Sequence, residues 1–327
     1  MNATPCAGGP LRLGTRRSAL ALAQSGTVAE LVTAATGRPV ELVEITTYGD
    51  VSRESLASIG GAGVFVSALR DALLAGEIDL AVHSLKDLPT AQPEGLTLAA
   101  VPPRADPRDA LVARGGLTFE RLAVTAGRAR VGTGSARRAG QLHAWARALG
   151  CEIETVPIRG NVDTRIGYVR DGELDAVVLA AAGLHRLGRG EEITDLLAPD
   201  VVLPAPGQGA LAVECASSDA ALAAGLAVLD DPLTRVAVTA ERSLLAALEA
   251  GCSAPVGAYA DLPDGGRTVT EMRLRGAVGT PDGSALVQLS ITGPVPASDG
   301  EAAALGRALA DEMLAKGAAG LMGEREH

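Results

Sequence analysis

Asp79-Leu-Ala-Val-His-Ser-Leu-Lys-Asp-Leu-Pro89 is the stretch from which the fold is read. Leu80 to Val82 form a short apolar run bounded by polar residues, the pattern of a buried strand. Lys86 and Asp87 follow its carboxyl end, and Pro89 stops the segment. In open α/β sheets ligands bind at such ends, because the loops there leave a crevice that the packed sheet cannot fill. Lys86 and Lys316 are the only lysines in a chain whose other long cations are arginine. A lysine kept at a strand end in that background points to a chemical requirement. An exposed Lys-Asp turn before a proline has the same spacing, so the motif alone assigns no role.

Outward from this strand, strands alternate with helices. Towards the amino terminus the pattern predicts a strand at 11–14, a helix from Ala19 capped by Ser18, a strand at 40–46, and a helix at 64–75 after the glycine loop Gly60-Gly-Ala-Gly63. No Gly-Lys-Ser/Thr follows that loop, so it is not a P-loop. A strand at 96–101 completes the first unit. A second unit of the same kind begins near Pro103, with strands at 129–132, 152–158 and 175–181 and helices opening near Ser135 and Thr164. This alternation predicts mainly parallel, doubly wound sheets.

The segment 203–209, Leu-Pro-Ala-Pro-Gly-Gln-Gly, is a connector, and the strand after it returns to the first sheet. Later the pattern changes to a helix from Asp231 with Gly251 as its C-cap, three strands with a Pro281-Asp-Gly283 turn, and a last helix at 299–316. The expected domains are 1–103 with 203–218, then 104–202, then a smaller α+β domain at 219–327.

Arginine recurs where strands end and helices begin, at Arg16, Arg137 and Arg138, Arg159 and Arg165, and Arg186. In doubly wound sheets those junctions converge on a cleft. Clustered arginines are unfavourable to desolvate unless anions neutralise them, and each can grip a carboxylate through two parallel hydrogen bonds. The expected ligand is a polycarboxylate, since neither a dinucleotide fingerprint nor a Walker motif is present. A structural ion-pair network is the competing explanation.

Composition narrows the class. At 327 residues the chain is long enough for two or three domains. A net charge of −10, with two Phe, three Tyr and one Trp, argues against a nucleic-acid partner, which needs clustered cations and flat rings. Cys6, Cys151, Cys215 and Cys252 form no CxxC pair, so no metal site or disulfide framework is expected. With no signal-like start and no membrane-length apolar run, the expected location is cytoplasmic, with no membrane partner. Cys252, by spacing alone, reads as an inert cysteine.

Several stretches together resemble the porphobilinogen deaminase family, the hydroxymethylbilane synthases of tetrapyrrole biosynthesis. They are Thr15-Arg-Arg-Ser-Ala-Leu-Ala-Leu-Ala-Gln24, Ala81 to Pro89, Asp106-Pro-Arg-Asp-Ala110, Ser135-Ala-Arg-Arg138, Arg159-Gly-Asn-Val162 with Thr164-Arg165, Pro206-Gly-Gln-Gly-Ala210 and Gly251-Cys252. The match runs in order from Leu11 to about Ala315. It implies two domains resembling periplasmic binding proteins, and a third whose cysteine, Cys252 by position, carries a thioether-linked dipyrromethane cofactor. It implies Asp87 as the catalytic carboxylate, stabilising positive charge on pyrrole nitrogens while porphobilinogen loses ammonia and is joined to the chain. Lys86, Asp87, Ser84, Thr133, Ser135, Arg137, Arg138, Arg159 and Arg165 are the implied cofactor contacts. Arg16, Ser18, Phe65, Arg159, Arg165, Arg186 and Gln208 are the implied substrate contacts. A monomer is also implied.

The chain departs from the family at Ser58 and Ala62, where lysines are frequent, and at Tyr48, where some members have arginine. Two rivals from other classes are a two-lobed binding protein for an acidic solute and a ligand-sensing regulator. The first has no use for the third domain. The second needs a helix-turn-helix module, which the sequence does not contain.

Overall fold

The central parallel strands Leu80–Ser84 and Ala176–Ala180 are buried on both faces because helices cover both. In chain order the first elements are β1 (Leu11–Thr15), α1 (Ala19–Thr36), β2 (Val40–Glu44), α2 (Gly63–Leu74), β3 (Leu80–Ser84) and β4 (Leu96–Ala100). Then come β5 (Asp109–Ala113), α3 (Phe119–Thr125), β6 (Arg128–Gly132), α4 (Ala136–Ala148), β7 (Glu152–Val156), α5 (Val162–Arg170), β8 (Ala176–Ala180), α6 (Ala181–Arg186) and β9 (Asp195–Leu197). The chain continues through β10 (Leu211–Ala216), α7 (Ala220–Leu226), α8 (Pro232–Ala247), β11 (Val256–Asp261), β12 (Glu271–Gly279), β13 (Leu286–Pro294) and α9 (Asp299–Ala315). This computed structural model describes residues 9–45, 63–251, 254–263 and 269–322, with 63–65 by backbone alone. Two units result: residues up to Arg104 with Ala210–Arg235, and Ala105–Gly209 with Val236 onward.

The first unit holds a five-stranded sheet in the order β2-β1-β3-β10-β4. On one face α1 and α7 bury Val28, Val32, Leu222 and Leu226 against Leu11, Leu13, Leu80 and Val213. On the other, α2 buries Leu69 and Leu73 against Ile78 and Ala81. Each fully buried leucine contributes about 1.5–3 kcal/mol relative to exposure. Helix α1 runs to Thr36, well past the Gln24 at which the alanine-rich stretch ends. Val28 and Val32, one turn apart on its buried side, carry it on, and Gly37 closes it at φ 69° with its N–H on Thr33 O.

The second unit repeats the plan in the order β7-β6-β8-β5-β9, with α3 and α4 on one face and α5 and α6 on the other. Phe119 and Trp145, two of the few aromatic residues, stack there at 4.3 Å between ring centres. The sheets are mainly parallel, as the alternation predicts, but each carries one antiparallel strand next to its edge, β10 and β5. These are the strands that follow the two chain crossings, from β4 into β5 and from β9 into β10.

Strand registers superpose the two sheets residue by residue. Gly14 pairs with Ala81 as Gly132 pairs with Val177, so Gly14-Thr15 and Gly132-Thr133 are equivalent strand ends. Ser84 pairs with Leu211 as Ala180 pairs with Asp109, which makes Leu211 and Asp109 equivalent, and likewise Glu214 and Val112. The helices that follow are capped by Ser18 and Ser135. They read Ser18-Ala-Leu-Ala-Leu-Ala-Gln24 and Ser135-Ala-Arg-Arg-Ala-Gly-Gln141.

The second unit also contains the antiparallel sheet β11-β12-β13, covered by α8 and α9 through Leu244, Leu248, Leu309 and Met313. Gly306 permits the helices to approach, since a Cβ there would lie 2.3 Å from Ala240 O. Helix α8 ends earlier than expected: the left-handed residue beyond it is Glu249, at φ 53°, in place of the expected cap at Gly251. The predicted Pro281-Asp-Gly283 turn joins β12 to β13, with Asp282 Oδ1 accepting from Thr280 Oγ1, Ser284 N and Ser284 Oγ.

Candidate active site

In the first unit β3 delivers the Lys-Asp pair. Beyond Ser84 the chain makes a single 3₁₀ turn, Leu85–Asp87, anchored by the buried Leu85 and Leu88. Leu85 N donates to Ala210 O at 3.0 Å and Leu88 N to Leu85 O at 3.1 Å, which fixes the turn on β10. Lys86 is half-buried and Asp87 exposed. No described residue hydrogen-bonds the Asp87 carboxylate, so it is available to a ligand. Ser84 Oγ accepts from Gln24 Nε2 at 2.9 Å, which ties the end of β3 to α1.

Below the turn lies a buried charge cluster. Glu214, fully enclosed on β10, accepts from Arg70 Nε at 3.0 Å and Nη2 at 2.8 Å. His83 Nε2 lies 3.2 Å from Glu214 Oε2, the oxygen that also accepts from Arg70 Nε. Burial pushes the Glu214 carboxyl upward, but the neighbouring His83 and the Arg70 fork outweigh it and bring it down to about 2. Arg16 is half-buried in the β1–α1 loop. Ser18 Oγ is committed to Ala21 N at 3.2 Å as the helix cap.

In the second unit Thr133 and Ser135 shape the β6–α4 junction. Ser135 N donates to Thr133 Oγ1 at 3.2 Å, and Ser135 Oγ caps α4 by accepting from Arg138 N at 3.4 Å. Both hydroxyls therefore have local work. Arg137 and Arg138, in the first turn of α4, are buried and converge on Asp109, the first residue of β5. Arg137 Nη1 donates to Asp109 Oδ2 at 2.7 Å and to Leu203 O at 2.6 Å. Arg138 donates through Nε at 3.0 Å and Nη2 at 2.8 Å to Asp109 Oδ1, and through Nη1 to Val178 O at 2.9 Å.

Gln208 is also buried, with Nε2 on Asp109 Oδ1 at 2.9 Å and on Pro107 O at 2.8 Å. Burial disfavours the Asp109 carboxylate, yet the charges of Arg137 and Arg138 and the hydrogen bonds of Arg137 and Gln208 hold its pKa far below the ordinary range. Desolvation, followed by Arg138, lowers the pKa of Arg137 against the pull of Asp109.

Three further predicted arginines of the second unit, Arg159, Arg165 and Arg186, have no carboxylate partner among the described residues. Arg159 is exposed, Arg165 Nε donates to Gly160 O at 2.8 Å, and Arg186 Nη2 donates to Gly209 O at 2.6 Å. Burial, and then repulsion from Arg138 and Arg159, lowers the pKa of Arg165; burial alone lowers that of Arg186. Helix α5 begins at Val162, two residues before the expected Thr164, because Asn161 Oδ1 caps it by accepting from Thr164 N at 2.9 Å.

The predicted residues thus fall into two sets. Arg16, Ser18, Ser84, Lys86 and Asp87 belong to the first unit, and Thr133, Ser135, Arg137, Arg138, Arg159, Arg165, Arg186 and Gln208 to the second. Cys252, the Phe65 side chain, Tyr48, Ser58 and Ala62 lie outside the described residues. Within the second set Arg137, Arg138 and Gln208 spend donors on Asp109, whereas Arg159, Arg165 and Arg186 hold positive charge that no carboxylate among the described residues offsets. Counting Asp109 against Arg137 and Arg138 still leaves one positive charge in surplus. The arrangement can bind an anion of several carboxylates. Sequence reasoning passed over Asp109, although it stands in the quoted run Asp106 to Ala110; an acidic residue opening an apolar strand was the available signal.

Among the described residues no cluster of His, Cys, Asp or Glu could hold a metal ion, and no helix is long and apolar enough to cross a membrane.

Comparison with known proteins gives two family matches. Residues 11–224 match "Porphobilinogen deaminase, dipyromethane cofactor binding domain", and residues 235–315 match "Porphobilinogen deaminase, C-terminal domain". Porphobilinogen deaminase 1 of Streptomyces avermitilis is 75% identical, covering 97% of this chain and 98% of its own length. The protein of the same name from Streptomyces coelicolor is 73% identical over 96% and 98%. Among solved structures, the periplasmic aliphatic sulphonate binding protein SsuA from Escherichia coli overlaps 74% of this chain and 71% of its own, with 16% identity and a TM-score of 0.38. The doubly wound α/β assignment rests on the strand orders and covered faces described above.

Proposed function

The chain belongs to the porphobilinogen deaminase family, and from that premise we propose how its residues divide the work. The activity is that of a hydroxymethylbilane synthase: a transferase of tetrapyrrole biosynthesis that deaminates four porphobilinogens, joins them head to tail on a dipyrromethane cofactor, and releases hydroxymethylbilane by hydrolysis. Each pyrrole brings an acetate and a propionate. The donor set of the second unit fits such a group, since its guanidinium charge exceeds its carboxylate charge. When bound, dipyrromethane supplies the pyrrole to which the first substrate is joined.

Asp87 is the proposed catalytic carboxylate. Exposed in the turn after β3, with no hydrogen-bond partner among the described residues, it accepts a hydrogen bond from a pyrrole N–H of the substrate and stabilises the positive charge that develops as ammonia leaves. It also takes up and returns the proton that substitution at the ring displaces. Lys86 beside it, with Arg16 and Ser18 at the start of α1 and Phe65, holds substrate carboxylates and ring in register. Ser84 acts through its link to Gln24.

Arg159, Arg165 and Arg186 bind the carboxylates of cofactor and growing chain. Arg137 and Arg138 form the buried floor of that site with Thr133, Ser135 and Gln208. Cys252 is the proposed attachment point; a thioether there withstands the acid-base chemistry of each addition. The proposed organisation has three domains, 1–103 with 203–218, 104–202 and 219–327, supported by separate hydrophobic clusters about each of the three sheets. We further propose a cytoplasmic monomer without a nucleic-acid partner, supported by the acidic net charge and checked by sedimentation velocity.

Two observations, one in each unit, carry the polycarboxylate reading: among the described residues, Arg159, Arg165 and Arg186 of the second unit have no carboxylate partner, and Asp87 of the first is exposed with no hydrogen-bond partner. Intact mass spectrometry tests it. The purified chain should exceed its sequence mass by two pyrrole units, and Cys252→Ser should lose that excess. Folded wild-type chain at the bare sequence mass, with no consumption of porphobilinogen, defeats the reading.

A further inference from the structure

The buried triad of Asp109, Arg137 and Arg138 is not demanded by the fold. At the equivalent places in the first unit stand Leu211, Leu20 and Ala21, matched by strand register and by position after the capping serine. The same scaffold therefore places apolar side chains at those three positions. Burying one carboxylate and two guanidinia costs more than burying apolar groups of similar volume. Its presence in one unit and not in the other calls for a role in binding.

We propose that Asp109 is the positioning residue of the anion site. Its two oxygens take four hydrogen bonds: one from Arg137, two from Arg138 and one from Gln208. Asp109 offsets part of the guanidinium charge inside the protein and fixes the two planes against Leu203 O and Val178 O. Because it cancels only one of two charges, the pair retains one positive charge for a bound carboxylate. The ligand class is the carboxylate arms of the pyrrole chain, so the inference rests on the function proposed above. Asp109 does not touch the ligand in this scheme; it acts through the arginines and, through Gln208, holds the connector to the same point.

The test uses the full-length chain carrying Asp109→Asn, which keeps the shape and removes the charge, and Asp109→Glu, which keeps the charge and displaces it by one methylene. Four quantities are read: the fraction of chain bearing the two-pyrrole mass excess, KM and kcat for porphobilinogen, and the thermal midpoint. Asp109→Asn should raise KM about tenfold and lower the loaded fraction to less than about half, with kcat of the loaded chain within about threefold of wild type. Asp109→Glu should raise KM about threefold. A merely structural role moves the thermal midpoint alone, so wild-type KM and loading in either folded variant overturn the proposal.

Should Asp109→Asn yield no folded chain, Asp109→Glu decides alone. The triple variant D109L/R137L/R138A, which installs the side chains of the first unit, should fold without loading. Full loading in that variant also overturns the proposal. Wild-type chain that never carries the mass excess overturns the proposed function instead, and the two failures are therefore distinguishable.

Discussion

The two α/β sheets share a strand order, a Gly-Thr strand end and a serine-capped helix, yet they bury charge in different places. In the first, Glu214, Arg70 and His83 lie beneath the turn that carries Asp87, where the second has Val112 and Leu179 in the strands. In the second, Asp109, Arg137 and Arg138 fill a junction that is apolar in the first. Register and cap position tell the clusters apart from scaffold requirements, since Glu214, His83, Asp109, Arg137 and Arg138 each have an apolar residue at the matched place in the other copy. Among the described residues the first sheet thus presents an exposed carboxylate without a partner, and the second presents surplus positive charge.

The sharpest way to break this contrast is at Asp87. Asp87→Ala should retain the two-pyrrole mass excess while turnover falls by about 10²–10⁴-fold, the usual contribution of a positioned acid-base group. Steady-state assay together with intact mass decides it, and normal turnover would remove Asp87 from the chemistry. Next in size is the unpaired charge of the second unit. Arg165→Leu should raise KM by about 10–100-fold, as expected for losing a charged hydrogen bond of about 1.5–3 kcal/mol. An unchanged KM would return Arg165 to the protein surface as a solvated side chain.

The cluster of the first unit gives a pH signature. Glu214 has a folded pKa of about 2 against an ordinary 4.5, so its contribution is fully present above about pH 4.5 and is lost as pH falls through 2. The shift corresponds to on the order of 3 kcal/mol. Urea titrations should show wild type more stable than Glu214→Gln at pH 6, with the gap narrowing from about pH 5 downward. A gap independent of pH would mean that the carboxylate charge contributes nothing.

The smallest effects test the equivalence itself. A Cβ at Gly14 would lie 2.3 Å from Ile78 Cδ1, and one at Gly132 would lie 2.6 Å from Leu174 Cδ1. Because both neighbours are side-chain tips that can shift, Gly14→Ala and Gly132→Ala should each cost about 1–3 kcal/mol by chemical denaturation. Unequal costs would show that the two strand ends are packed differently despite their shared register.

The strand and the place of Asp87 just past it were legible because a short apolar run ending in charges and proline is a strand-and-turn pattern, whereas the role of Asp87 came only from the ordered motifs. The Ser18 and Ser135 caps were legible for a similar reason: the signal lies within four residues of its effect. Helix α8 shows where local signals mislead: it ends at Ala247 with Glu249 left-handed, although Gly251 offered the cheaper left-handed residue. Arg138 and Arg165 look alike in sequence, each near the start of a helix after a strand. They differ because Asp109, 29 residues from Arg138, comes alongside only when β5 enters the sheet antiparallel to β8.

By itself the sequence determined the alternation of strands and helices, the turn that presents Asp87 and the family to which the chain belongs, all of which are written in short-range patterns or in ordered motifs. Only the tertiary structure decided which arginines are neutralised and which retain charge for a ligand. A guanidinium's partner is chosen by strand pairing across the sheet, and that distance is invisible along the chain.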